Sequence, residues 1–133
     1  MKAEELMIGD WVYNTHNQQN ERVQEIGSGL VMLDYNDLYE YDEIEPIPLT
    51  LEILEKNGFK PYILEGHLET VYACQDVSKA VSDELYALWP YQDGSFYLLL
   101  RVDGKDMVRM DVHYIHQLQQ ALRLCGIEKE IDL

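Results

Sequence analysis

Basic side chains are scarce in this chain, with 10 Lys and Arg against 25 Asp and Glu and a formal net charge of −15. A field of that sign repels phosphate backbones, and no basic stripe is present to release counterions, so direct nucleic-acid binding is not expected. Cysteine is scarcer still. Cys74 and Cys125 lie far apart without Cys-x-x-Cys spacing, which argues against a disulfide framework or zinc ribbon and leaves two buried thiols as the expectation. No segment approaches the roughly 18 uncharged apolar residues of a membrane span. Acids also occupy residues 1–7, where a signal peptide needs a basic end and an apolar run. A cytoplasmic protein without membrane association is expected. Catalytic signatures are missing as well: there is no Gly-x-Ser-x-Gly elbow and no phosphate-binding glycine motif, and Ser28, Ser78, Ser82 and Ser95 have no base in their local context. Among so many acids a pair of catalytic carboxylates is an unspecific guess. Neither enzymatic activity nor a cofactor is expected.

What is present is enough for a core. The 133 residues are 47% hydrophobic and 11% aromatic, with ten Tyr, a composition that a disordered chain of this charge would not have. The acids are uneven. Residues 1–49 carry eleven against Lys2 and Arg22, a balance of −9, and residues 50–133 carry fourteen against eight bases, a balance of −6.

Periodicity divides the chain into an all-β part, 1–49, and an α+β part, 50–133. A turn at Gly9-Asp10 leads into a strand through Trp11, Val12 and Tyr13, and the polar stretch 14–20 suits a hairpin end. A second strand is expected at 22–26. Gly27-Ser28-Gly29 supplies a tight turn, Leu30 to Leu33 a third strand, and 38–44 a fourth. Short strands at this spacing predict a small SH3-like antiparallel barrel or curled sheet. Pro46 and Pro48 stop it, since neither can donate to a ladder. A short linking helix follows: Thr50 is the N-cap, Leu49 staples onto Leu54, Glu52 suits the positive end of the dipole, and Gly58 stands at C′ with Phe59 folding back on Leu54.

The second part predicts an antiparallel meander covered by a C-terminal helix. One strand is expected within 62–74. Residues 75–83 are ambiguous, because Val77, Val81, Leu85 and Leu88 have helical spacing while Leu85, Ala87, Trp89 and Tyr91 alternate; a loop or helical turn and then a strand from about Glu84 is the favoured reading. Asp93-Gly94 and Asp103-Gly104 mark hairpins. Phe96, Leu98, Leu100 and Val102 with Val108, Met110 and Val112 form one greasy face of a three-stranded sheet, opposite Arg101, Arg109 and Asp111. In the last helix Ile115, Leu118, Leu122 and Cys125 face the core with Ala121 beside them, Gln117, Gln119, Gln120 and Arg123 face outward, and Gly126 ends the helix with Ile127 reaching Leu122.

One stretch points to a partner. Asp34, Asp37, Glu40, Asp42, Glu43 and Glu45 crowd together with no Lys or Arg among them, and Tyr35, Tyr39 and Tyr41 lie between. Its spacing fails as a calcium loop, since Leu38 takes a ligand position and no glycine makes the sharp turn. A solvated edge that guards the sheet against pairing is the bland reading. The alternative is a contact surface of Tyr35, Asp37, Tyr39, Glu40, Tyr41, Asp42 and Glu43, in which Trp11 and Tyr13 could join as aromatic neighbours. His113-x-x-His116 has metal-like spacing but lacks further ligands and the glutamate of helical zinc sites, so surface histidines and no metal are expected; His16 and His67 are isolated.

Ile44-Glu45-Pro46-Ile47-Pro48-Leu49-Thr50-x-x-Ile53-Leu54-x-x-Asn57-Gly58-Phe59 and Tyr114-Ile115-His116-Gln117-Leu118-Gln119 to Leu122, with the Gly-Asp lead into the first strand, resemble a family of small uncharacterised proteins from phage, prophage and mobile-element regions of gut Bacteroidetes. The resemblance spans most of the chain; 62–91 departs from the pattern. It implies no activity, but a small accessory or host-interacting role. The expectation is therefore a non-enzymatic protein acting through protein contacts, its acidic tyrosine-bearing edge meeting an unknown partner with a basic surface. The alternatives are an acidic nucleic-acid mimic that occupies a DNA-binding protein, or a small-ligand or metal-binding module.

Overall fold

The computed structural model describes residues 1–63, 69–74 and 85–133, and the chain divides into two units. The first comprises Met1–Pro48 with Tyr114–Gln120; the second comprises Leu49–His113 with Ala121–Leu133. No helix among the described residues is long and apolar enough to cross a membrane. Residues 75–84, with Val77, Val81, Ser78 and Ser82, lie outside the described residues, as do His67 and the side chains of Leu85 and Val102.

In the first unit β1 (Trp11–Asn14), β2 (Gln19–Ile26), β3 (Leu30–Leu33), β4 (Leu38–Glu40) and β5 (Ile44–Glu45) form one antiparallel sheet in the order β4-β3-β2-β1-β5. The order has two free ends, so the barrel form of the expectation is not closed. The fourth strand is shorter than the expected 38–44, because the chain leaves β4 in a 3-10 turn at Tyr41–Glu43 and crosses to β5. The N–H of Glu40 is taken there by the Glu43 carboxylate at 2.9 Å, a capping box that competes with continued ladder pairing. Alternation fixes the inner face: Leu6, Val12, Val23, Val31, Leu33, Tyr39 and Ile44 are buried together, with Met1 and Tyr41 packed on them.

In the second unit α1 (Leu51–Lys56) begins where Thr50 Oγ1 accepts the Ile53 N–H. It ends as expected at Gly58, whose φ is +84°. The Gly58 N–H reaches Glu55 O at 3.1 Å and the Phe59 N–H reaches Leu54 O at 3.0 Å, so the last carbonyls are satisfied by a Schellman motif. β6 (Lys60–Ile63), β7 (Thr70–Ala73), β8 (Leu85–Pro90), β9 (Phe96–Val102) and β10 (Lys105–Val112) form a five-stranded meander in the order β10-β9-β8-β7-β6. The strand expected within 62–74 is β7, while β6, which begins ahead of that range at Lys60, was not expected, and the sheet is wider than three strands. Asp103 and Gly104 both adopt positive φ, as the β9–β10 hairpin requires. Nor is only one face apolar: Val71, Ala73, Ala87 and Leu99 are buried with Tyr62 and Trp89 on the face opposite Leu98 and Leu100. The alternation in β9 and β10 predicts a single apolar face, whereas β8 is apolar at almost every position.

The last helix, α2 (Ile115–Leu124), is shared between the units. Gly126, φ +71°, closes it with a second Schellman motif, Gly126 N–H to Arg123 O and Ile127 N–H to Leu122 O. Its polar face departs from expectation. Gln119 is buried, and so is His116, where a surface histidine is expected. The thiols of Cys74 and Cys125 are half-buried rather than buried. Burial still pushes the Cys74 thiol up, against a lowering by Lys129, and Tyr86 beside it is raised to about 12, chiefly by burial.

Candidate functional site

The acidic stretch runs from a 3-10 turn at Asp34–Asn36 along edge strand β4, through the 3-10 turn Tyr41–Glu43, and into β5 at the other end of the strand order. Strand parity decides which of its residues face solvent. Leu38 and Glu40 of β4 point out and Tyr39 points into the core, where its hydroxyl oxygen accepts from Asn17 Nδ2 at 2.8 Å. Tyr41 packs against the same core and its hydroxyl donates to Gly27 O at 2.5 Å. Of the three interleaved tyrosines only Tyr35 is displayed, 80% exposed. It is also held at φ +71°, in the left-handed region that a bulky residue enters at a cost.

The carboxylates divide in the same way. Asp34 is structural: its oxygens accept the Arg22 N–H and the Gln24 side-chain amide, each at 2.9 Å. Glu43 is half-buried and caps Glu40. Asp37, Glu40, Asp42 and Glu45 are exposed. The aromatic neighbour Trp11 already carries a cation, for the Arg22 guanidinium stacks 4.6 Å from its ring centre.

Beside this edge lies an apolar surface that the sequence reading missed. Leu30, Met32 and Leu38 share the outer face, because Met32 is the partner of Leu38 and Leu30 of Glu40. With Ile26 and Glu25 they line a shallow cleft closed at one end by the turn through Gly27, Ser28 and Gly29. Ile26, Leu30 and Leu38 are all exposed, Leu38 by 56%. The available signal was the apolar run Leu30-Val31-Met32-Leu33, half of which must face outward in any strand of a one-layer sheet.

Two buried polar groups were also missed. Glu21 lies on the inner face, opposite Val12 in the ladder. Its Oε2 accepts from Asn14 Nδ2 at 2.7 Å and Asn17 Nδ2 at 3.2 Å, while its buried Oε1 has no partner. The parity of Val12 with Asn14 and of Val23 with Glu21 carried that signal. His116 stacks on Tyr114 at 5.9 Å between ring centres, its Nδ1 buried without a partner. Burial pushes the imidazole below its usual 6.5, and the carboxylates of Asp10 and Glu5 partly oppose this. His113, by contrast, is exposed. Among the described residues no group of three or more His, Cys, Asp or Glu could hold a metal ion.

No family model matches this chain, and no curated protein and no solved structure matches it either.

Proposed function

We propose that the protein is a non-enzymatic accessory protein that acts through protein contacts, its first unit meeting a partner with a basic surface. The observation that carries this reading is the run of exposed carboxylates Asp37, Glu40, Asp42 and Glu45, which follows the chain from edge strand β4 through the 3-10 turn Tyr41–Glu43 into β5, in a segment whose only bases are Lys2 and Arg22. Such a field speeds encounter with a cationic surface and rejects an anionic one. Tyr35 adds displayed aromatic area of the kind interfaces favour. The order β4-β3-β2-β1-β5 with a 3-10 turn between β4 and β5 supports an SH3-like, unclosed reading of this unit. That fold does not by itself choose a function. A cytoplasmic accessory role on a mobile element agrees with the resemblance noted above.

The test replaces Asp37, Glu40, Asp42 and Glu45 with Asn or Gln and leaves Asp34 and Glu43, whose hydrogen bonds hold the fold. Association with the partner purified from the native host should slow severalfold at about 20 mM salt and much less at about 200 mM, where screening has removed most of the field. Equal rates for both proteins at both salt concentrations would leave the edge as a solvated guard against strand pairing.

A further inference from the structure

An exposed apolar cleft inside a strongly anionic surface selects for a particular occupant. Ile26, Leu30, Met32 and Leu38 supply the apolar lining, Glu25 lies on the cleft itself, and Glu40 stands across the ladder from Leu30. No Lys or Arg lines it. We propose that this cleft seats one apolar side chain of a peptide segment whose neighbouring residues are Lys or Arg. The inference rests on the contact reading above and specifies the chemistry of the partner.

Three observations favour that occupant. Charge disfavours a second copy of this chain, which would bring the same carboxylates against the same rim at a net −15. Strand addition is disfavoured by the edge itself: β4 has three residues, is flanked by 3-10 turns, and its Glu40 N–H is occupied. The partner is therefore read by side chains. Finally, the cleft is preformed. Its end wall is pinned by the Tyr41 hydroxyl on Gly27 O and by the Gly27 N–H on Leu30 O at 2.9 Å. A Cβ at Gly27 would meet Leu30 O at 2.9 Å, so glycine is needed for this closure. A wall held in place costs no ordering when a ligand arrives.

Gly29 offers the decisive variant. Its φ is not in the positive range, and a Cβ there meets nothing within 4 Å, so a side chain can start at this exposed position without a backbone clash and Gly29→Trp adds bulk to the cleft lining. Leu38→Ala removes exposed lining and serves as the second variant. The full chain, labelled at Ile, Leu and Met methyls, is titrated with three synthetic peptides: a leucine flanked by lysines, the same peptide with alanine for leucine, and one with glutamates for lysines. The lysine–leucine peptide should shift the methyls of Met32, Leu38 and Leu30. Affinity should fall roughly tenfold for the alanine peptide and for each variant, as expected for losing one buried aliphatic group, and the glutamate peptide should not bind. Equal binding of the leucine and alanine peptides, undiminished in both variants but lost in the four-carboxylate variant, would sink the cleft and leave the acidic edge standing. Peptide binding that ignores salt and the four-carboxylate variant would sink the contact reading itself. Methyl shifts that grow with protein concentration alone would assign the cleft to a second copy and overturn the proposal.

Discussion

Gln119 of α2 grips the backbone on both sides of Asp10: its Oε1 accepts the Trp11 N–H at 2.9 Å and its Nε2 donates to Gly9 O at 3.1 Å. One side chain thus satisfies a donor and an acceptor 108 and 110 residues away, where β1 begins. Gln120 adds Nε2 contacts to Glu5 O at 2.7 Å and Asp10 Oδ2 at 2.6 Å. Removing the Gln119 amide leaves both backbone groups without this partner. Gln119→Ala and Gln119→Leu should each destabilise the protein by about 1–3 kcal/mol, since both backbone groups are part-buried and a fully buried group stripped of its partner costs roughly 1–3 kcal/mol by itself. Leucine restores the volume and not the hydrogen bonds. A urea midpoint for Gln119→Leu equal to wild type would show that packing alone holds the helix there.

His116 should make stability depend on pH. Its folded pKa lies below the ordinary 6.5 because burial disfavours the imidazolium, with Asp10 and Glu5 pulling the other way. The unfolded chain then binds the proton first. Stability is intact above about 6.5 and is lost as pH falls from there towards the folded value, below which this contribution is constant. The carboxylates add their own loss at lower pH, so the comparison is with His116→Gln. Unfolding free energies measured from about pH 8 to about pH 5 should slope more steeply for wild type than for the variant; parallel profiles would remove His116 from the account.

The buried seam of α2 gives a third expectation. Leu118 and Leu122 are both 1% exposed, and truncating such a leucine costs about 2–5 kcal/mol, the transfer term plus the cavity. Leu118→Ala and Leu122→Ala should each lower the urea midpoint accordingly. Gly126→Ala should cost roughly 1 kcal/mol for forcing a Cβ into the left-handed region, with open space around it and no clash to add.

The helices were legible because their signals are local. Thr50, Gly58 and Phe59 lie within ten residues, as do Leu122, Gly126 and Ile127, and each set specifies a hydrogen-bond pattern by itself. Strand β3 and the Asp103-Gly104 hairpin were legible for the same reason. What escaped depends on residues far apart in the chain. Gln119 looks like any exposed glutamine until Gly9 and Trp11 meet it. Tyr39 and Tyr41 looked like an aromatic edge because counting residues between acids ignores parity, and parity sends Tyr39 inward. The cleft needed three strands in register before Ile26, Leu30, Met32 and Leu38 became neighbours. Glu21 and His116 escaped for the opposite reason: polar residues default to the surface, and only the fold shows them buried.

Tyr35 combines backbone strain with display of its ring. The side chain packs little, at 80% exposed, yet the backbone holds it at φ +71° and ψ 10°, with Asn36 beside it at φ +61°. A non-glycine residue in that region costs roughly 1–2 kcal/mol, part of which glycine returns by its freedom in the unfolded chain. Tyr35→Gly should therefore raise stability by up to about 1 kcal/mol, since the relieved strain outweighs the small packing loss. If the strain exists to display the ring, the same substitution should weaken association with the basic partner, and Tyr35→Phe should keep both the wild-type stability and most of the affinity. Thermal midpoints and binding measured on the three proteins decide it. A Tyr35→Gly protein that is less stable and binds as well as wild type would mean that the ring supports the turn and takes no part in the contact.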